Sequence, residues 1–148
     1  MSAAGDGDVR LAVYRHFLDR GRPPGAAEIA ETLGLTQAAA EDALRRLDEA
    51  HAIALAPGTL DVWLAQPLSA AATGFRVRAD RRSWWGACIW DALGIPAMLG
   101  EDAVVETADP ATDEAFELRV SGGRVEPTAA VAHFLVPARR WWDDLAYT

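Results

Sequence analysis

Cys88 and Asp91 stand three residues apart in the segment Ser83 to Pro96, a spacing that lets two side chains meet on one helix face. Cys88 is the only cysteine in the 148-residue chain. A thiolate beside a carboxylic acid pairs a nucleophile, or soft-metal ligand, with a proton donor. The segment reads as a helix from Trp84 to about Gly94, capped by Ser83 and ended near Pro96, with Cys88 in its second turn. There the helix dipole favours the thiolate modestly, and the neighbouring carboxylate opposes it. Trp84, Trp85 and Trp90 are the expected pocket walls, able to exclude water and raise the carboxyl pKa. The same residues also fit a plainer reading, a small buried cysteine and a solvent-facing aspartate.

Other chemistry is weakly indicated. His16, His51 and His133 lie far apart and lack the spacing of metal-binding pairs. No phosphate-binding glycine loop or nucleophile elbow occurs. One cysteine excludes an internal disulfide framework.

The elements that must position Cys88 and Asp91 follow from periodicity. Val9, Val13 and Phe17 form one line of a first helix over 8–20, stopped by the Gly21 to Gly25 stretch with its two prolines. Ala26 to Leu33 reads as a second helix ending at Gly34, and Thr36 caps a third running to about Ala50. Ile53–Ala56 and Thr59–Leu64 read as a hairpin around Pro57-Gly58. Three helices and a hairpin make a winged helix-turn-helix pattern over residues 1–66.

Pro67 to Gly74 reads as a linker, and 67–148 as a second, mixed helix and antiparallel-sheet domain, so the expected class is α+β. Phe75, Val77 and Ala79 alternate with polar residues as in a half-buried strand. Val104–Thr107 and Ala115–Val120 are strand candidates flanking an Asp109-Pro110 turn. Ala130 to Val136 is an apolar run of the length of a buried strand.

Charge bounds the partners. The net charge is −8, every basic residue is arginine, and acids exceed arginines on both sides of residue 67. The third helix offers Gln37, Glu41, Asp42, Arg45, Asp48 and Glu49 on its outer face, a poor match to phosphate-lined DNA. A DNA-binding regulator is therefore the least favoured class. No apolar run approaches membrane-spanning length, and Met1 to Asp8 lacks the order of a signal peptide, so a soluble cytoplasmic protein is expected.

The stretch Phe75 to Gly100, with Cys88-Ile-Trp-Asp91 followed by Leu93-Gly-Ile-Pro96-Ala-Met-Leu-Gly100, resembles the catalytic segment of alkylmercury (organomercurial) lyases. In that family a strand leads into a helix carrying Cys-x-x-Asp, then a Leu/Ile-Pro-Ala-Leu-like stretch. Its winged-helix-like N-terminal domain, which does not read DNA, is similar in arrangement to residues 8–66. The tail from Ala132 through Trp141-Trp142 to Tyr147 resembles the segment leading to the family's second catalytic cysteine.

The resemblance implies protonolysis of a carbon–mercury bond. Cys88 would be the capturing thiolate, Asp91 the acid that protonates the departing carbon, and both would be mercury ligands. No cofactor is implied beyond the mercury of the substrate. The second cysteine has no counterpart here, and Thr148 stands about where it is expected. Two expectations follow: a truncated chain, or a homologue with a one-thiol site. The rival functions are a non-catalytic binder of a soft metal or small apolar ligand, and a Cys/Asp enzyme acting on another organic substrate.

Overall fold

A computed structural model of the chain describes residues 4–146. Met1–Ala3, Tyr147 and Thr148 lie outside the described residues, and with them the end of the tail that carries the family resemblance.

Helix α1 (Asp6–Arg20) buries Val9, Val13 and Phe17, the line that its periodicity predicts. It ends at Gly21, whose φ of 71° is a left-handed conformation that glycine adopts without steric cost. Helix α2 (Ala26–Leu33) turns at Gly34 into α3 (Gln37–Glu49), where Thr36 accepts a hydrogen bond from the Ala39 amide at 3.2 Å. Ala40, Ala43, Leu44 and Leu47 form the inner face of α3. On its outer face Arg45 pairs with Glu41 and Asp42 and Arg46 with Asp6, which cancels the positive charge available there.

Among the described residues eight antiparallel strands follow: β1 (Ala54–Leu55), β2 (Val62–Ala65), β3 (Leu68–Ser69), β4 (Arg76–Ala79), β5 (Arg82–Gly86), β6 (Ala103–Ala108), β7 (Ala115–Ser121) and β8 (Arg124–Val125). They form one sheet in the order β1-β2-β3-β5-β4-β6-β7-β8. Helices plus an antiparallel sheet make the fold α+β, with the three-helix arrangement at its N-terminal end. The expected linker is partly structured, because Leu68 and Ser69 pair on one side with β2 and on the other with β5. Both residues are buried, and that burial explains why a stretch of small residues holds a strand inside the sheet.

Helix α4 (Ile89–Leu99) packs against the sheet, and a short 3₁₀ helix (Ala138–Asp143) lies in the tail. One cluster of buried side chains runs from Val9 and Phe17 through Leu44, Leu68, Val77 and Trp84 to Ile95 and Leu118. No helix among the described residues is long and apolar enough to cross a membrane.

Two expectations are corrected here. Trp84 and Trp85 belong to strand β5, because the Val77↔Trp84 and Arg76↔Trp85 pairings with β4 satisfy their backbone. The helix starts at Ile89 and continues through Pro96, whose buried ring packs in the core. Ala130 to Val136 forms no strand: Val131 and Leu135 are 87% and 76% exposed, and the segment runs along the surface beside α4.

Candidate active site

Strand β5 ends at Gly86, and two residues later Cys88 occupies the N-cap of α4. Its backbone is extended, with φ −146° and ψ −177°, and its carbonyl accepts the first helical hydrogen bond from the Ala92 amide at 2.8 Å. Cys88 thus sits one turn earlier than its spacing from Trp84 suggests, with its sulfur at the helix N-terminus. A serine or threonine there would close a capping hydrogen bond; the sulfur makes none of full geometry. It nonetheless faces the Asp91 and Trp90 amides, which favour the thiolate.

Asp91 is the third residue of the helix, and its carboxylate meets the Cys88 side chain, which donates to it. Both residues are half-buried. Burial pushes the Cys88 thiol above its ordinary pKa; the Asp91 amide pulls it down and the Asp91 charge pushes it up again. Burial also raises the Asp91 carboxyl, against the opposing hydrogen bond from Cys88. Burial thus favours the protonated form of each group.

Two cavities meet at Cys88. The larger, about 370 Å³, is lined by Asp91, Trp90, Tyr14, Arg10, Gln66 and residues of the tail. The smaller, about 180 Å³, is apolar, with Phe75, Ile89, Phe134 and Val136 in its wall. Trp141 lines both and so stands between them. Its ring is fixed by Nε1 donating to the Val136 carbonyl at 2.8 Å and by a tilted contact with Phe134 at 5.4 Å. Trp142 stacks on His51, with ring centroids 4.1 Å apart and planes 6° from parallel. His51 has a φ of 55° just past α3, so the end of the third helix supplies the platform that holds the tail over the site. Tyr14 is oriented by its hydroxyl, which donates to the Gln66 carbonyl at 2.7 Å.

Of the three tryptophans expected to form the pocket, Trp90 lines the larger cavity. Trp84 is buried in the core, donating from Nε1 to the Leu18 carbonyl at 3.3 Å under the Arg82 guanidinium. Trp85 points to the opposite face of β5 and lines neither cavity. Arg10, Tyr14, His51 and Gln66 reach the cavity from the N-terminal part of the chain. No local motif marks them; only the tertiary fold brings α1, the residues just past α3 and the turn between β2 and β3 to the cavity that Cys88 and Asp91 line. Among the described residues, no group of three or more His, Cys, Asp or Glu side chains could hold a metal ion.

The stacked tail gives a measurable consequence. Trp142→Ala is expected to speed tryptic cleavage after the exposed Arg139 and Arg140 several-fold, because an aromatic pair contributes about 0.5–1.5 kcal/mol. Cleavage at the wild-type rate in the variant would show that the stack does not hold the tail.

No curated protein matches the chain in sequence. Its fold is similar to that of the crystal structure of the mercury-bound form of MerB2, with a TM-score of 0.64 at 15% identity. That match covers 82% of this chain and 60% of the other, so the chain spans about three fifths of the protein it resembles. The family model described as alkylmercury lyase matches residues 68–148, a stretch that holds strand β5, Cys88, Asp91 and the tail. On that match, which takes in more than half of its residues, the chain belongs to the alkylmercury lyase family.

Proposed function

We propose that the protein cleaves carbon–mercury bonds by protonolysis, with Cys88 as the capturing thiolate and Asp91 as the proton donor. The observation that carries this reading is the Cys88–Asp91 contact at the start of α4, in which a half-buried thiol donates to a half-buried carboxylate. Mercury is a soft ion and prefers thiolate over oxygen. When the Cys88 sulfur bonds to the mercury of an organomercurial, the anionic ligand already on mercury leaves to solvent and the Cys88 proton passes to the Asp91 carboxylate. The resulting carboxylic acid then delivers that proton to the carbon bonded to mercury. The carbon–mercury bond breaks and its electron pair forms the new C–H bond. A hydrocarbon leaves, and mercuric ion stays on the Cys88 sulfur with the Asp91 carboxylate as a harder second ligand. Mercury enters with the substrate, and the reaction as written needs no resident cofactor. We place it in the cytoplasm, where a lone thiol stays reduced.

Incubation with phenylmercury and excess small thiol is expected to release benzene from the wild type and none from Cys88→Ser. Equal benzene from both would sink the reading. Mercury retained on Cys88 without benzene would instead favour a binding role, a second reading that rests on the presence of one thiol in the chain.

A further inference from the structure

Arg10 lines the larger cavity together with Cys88 and Asp91. Among the described residues it makes no ion pair, whereas Arg46, Arg45 and Arg22 are each bound to a carboxylate. Its guanidinium carbon lies 5.5 Å from the centroid of the Tyr14 ring, a cation–π contact that holds the charge at the cavity wall. Tyr14, His51, Trp90, Trp141 and Trp142 give the same cavity an aromatic lining. The chain carries a net charge of −8, and Asp91 adds a carboxyl group to this wall, so an anion entering the cavity needs a local cation. Arg10 supplies it. The smaller cavity, with Phe75, Ile89, Phe134 and Val136 in its wall, has no arginine.

We propose, resting on the mercury reading of Cys88, that Arg10 is a specificity-determining residue that selects arylmercury compounds bearing a carboxylate on the ring. The ring lies among the aromatic side chains, mercury reaches the Cys88 sulfur, and the carboxylate meets the Arg10 guanidinium. A planar guanidinium suits a carboxylate because it can donate two parallel hydrogen bonds to its two oxygens. In capture, the Cys88 sulfur displaces the small thiolate already on mercury; the Cys88 proton passes to Asp91, and the small thiolate leaves and takes a proton from solvent.

The test is a competition between phenylmercury and para-mercuribenzoate for the full chain in a small-thiol buffer. The adduct on the single cysteine is read by intact mass, and the adduct ratio is divided by the ratio found with N-acetylcysteine. The wild type is expected to favour the carboxylated compound about threefold to fivefold, the scale of an exposed ion pair, and less so at high salt. Arg10→Gln should bring the normalised ratio to about one, and Arg10→Lys should restore part of the preference, which a merely structural role would not do. The same normalised ratio in wild type and Arg10→Gln overturns the proposal. A wild-type chain that forms no adduct with either compound overturns the mercury reading itself, an outcome distinct from adducts formed without preference.

Discussion

Asp91→Asn is expected to separate capture from cleavage: phenylmercury still loads onto Cys88, but benzene release falls about 10²- to 10⁴-fold, the usual contribution of a positioned general acid. Asparagine keeps the shape and can still accept from the thiol, but it can neither take the Cys88 proton nor pass it to carbon. Wild-type benzene release from the variant would show that the proton comes from elsewhere. The two steps should also respond to pH in opposite directions. Capture needs the thiolate, whose pKa lies above its ordinary value, so the loading rate climbs as pH rises past neutrality. Cleavage from a preloaded adduct needs the protonated acid, so it slows as pH rises through the raised Asp91 pKa. Stability follows the same group. Because Asp91 holds its proton more tightly folded than unfolded, stability is lost as pH rises from the unfolded pKa through the folded one. Asp91→Asn lacks this loss. It should melt above the wild type at neutral pH and level with it once both forms of Asp91 are protonated.

The sequence spacing of apolar residues located α1, α2 and α3, because each buries one face against the same core and that demand repeats at helical intervals. It also located β4, β6 and β7, where alternation and turn residues agree. It misplaced the start of α4. Trp84 and Trp85 are compatible with either element, and cross-strand pairing to β4 and β3 decided for the strand. Ser83 therefore caps nothing, and Cys88, not a favoured capping residue, takes the N-cap. The Cys88–Asp91 contact was legible because the two residues remain neighbours whether Cys88 is the N-cap or lies inside the helix. The cavity around them was not legible. Arg10, His51 and Gln66 come from parts of the chain whose approach to Cys88 and Asp91 no local pattern encodes, and the apolar tail run looks like a strand although it pairs with none.

Gly86→Ala is the substitution expected to cost the most stability for the fewest atoms added. A Cβ at Gly86 would stand 2.6 Å from the Ala92 nitrogen, 2.7 Å from its Cα and 2.9 Å from its Cβ, all closer than real contacts allow. Most of those atoms are backbone in the first turns of α4, so no flexible side chain can swing away. Gly86 cannot retreat easily either. Its amide donates to the Phe75 carbonyl at 3.0 Å, its carbonyl accepts from Thr73 Oγ1 at 2.6 Å, and it pairs with Leu68. Relief requires prising the start of α4, with Cys88 and Asp91 on it, away from β5. Overpacking of this kind costs about 1–3 kcal/mol or more. For a chain of this length, that is a fall in Tm of roughly 3–10 °C. The site should suffer with the fold, through slower capture at Cys88 by the protein that remains folded. Gly94→Ala is the control. A Cβ there comes no nearer than 3.4 Å to Pro67, and alanine in a helix interior gains about 1 kcal/mol over glycine. A thermal melt should therefore lower Tm for the first variant and hold or raise it for the second. Equal melting of the two would mean that α4 can slide on β5, and that the Cys88–Asp91 geometry does not depend on the glycine beneath it.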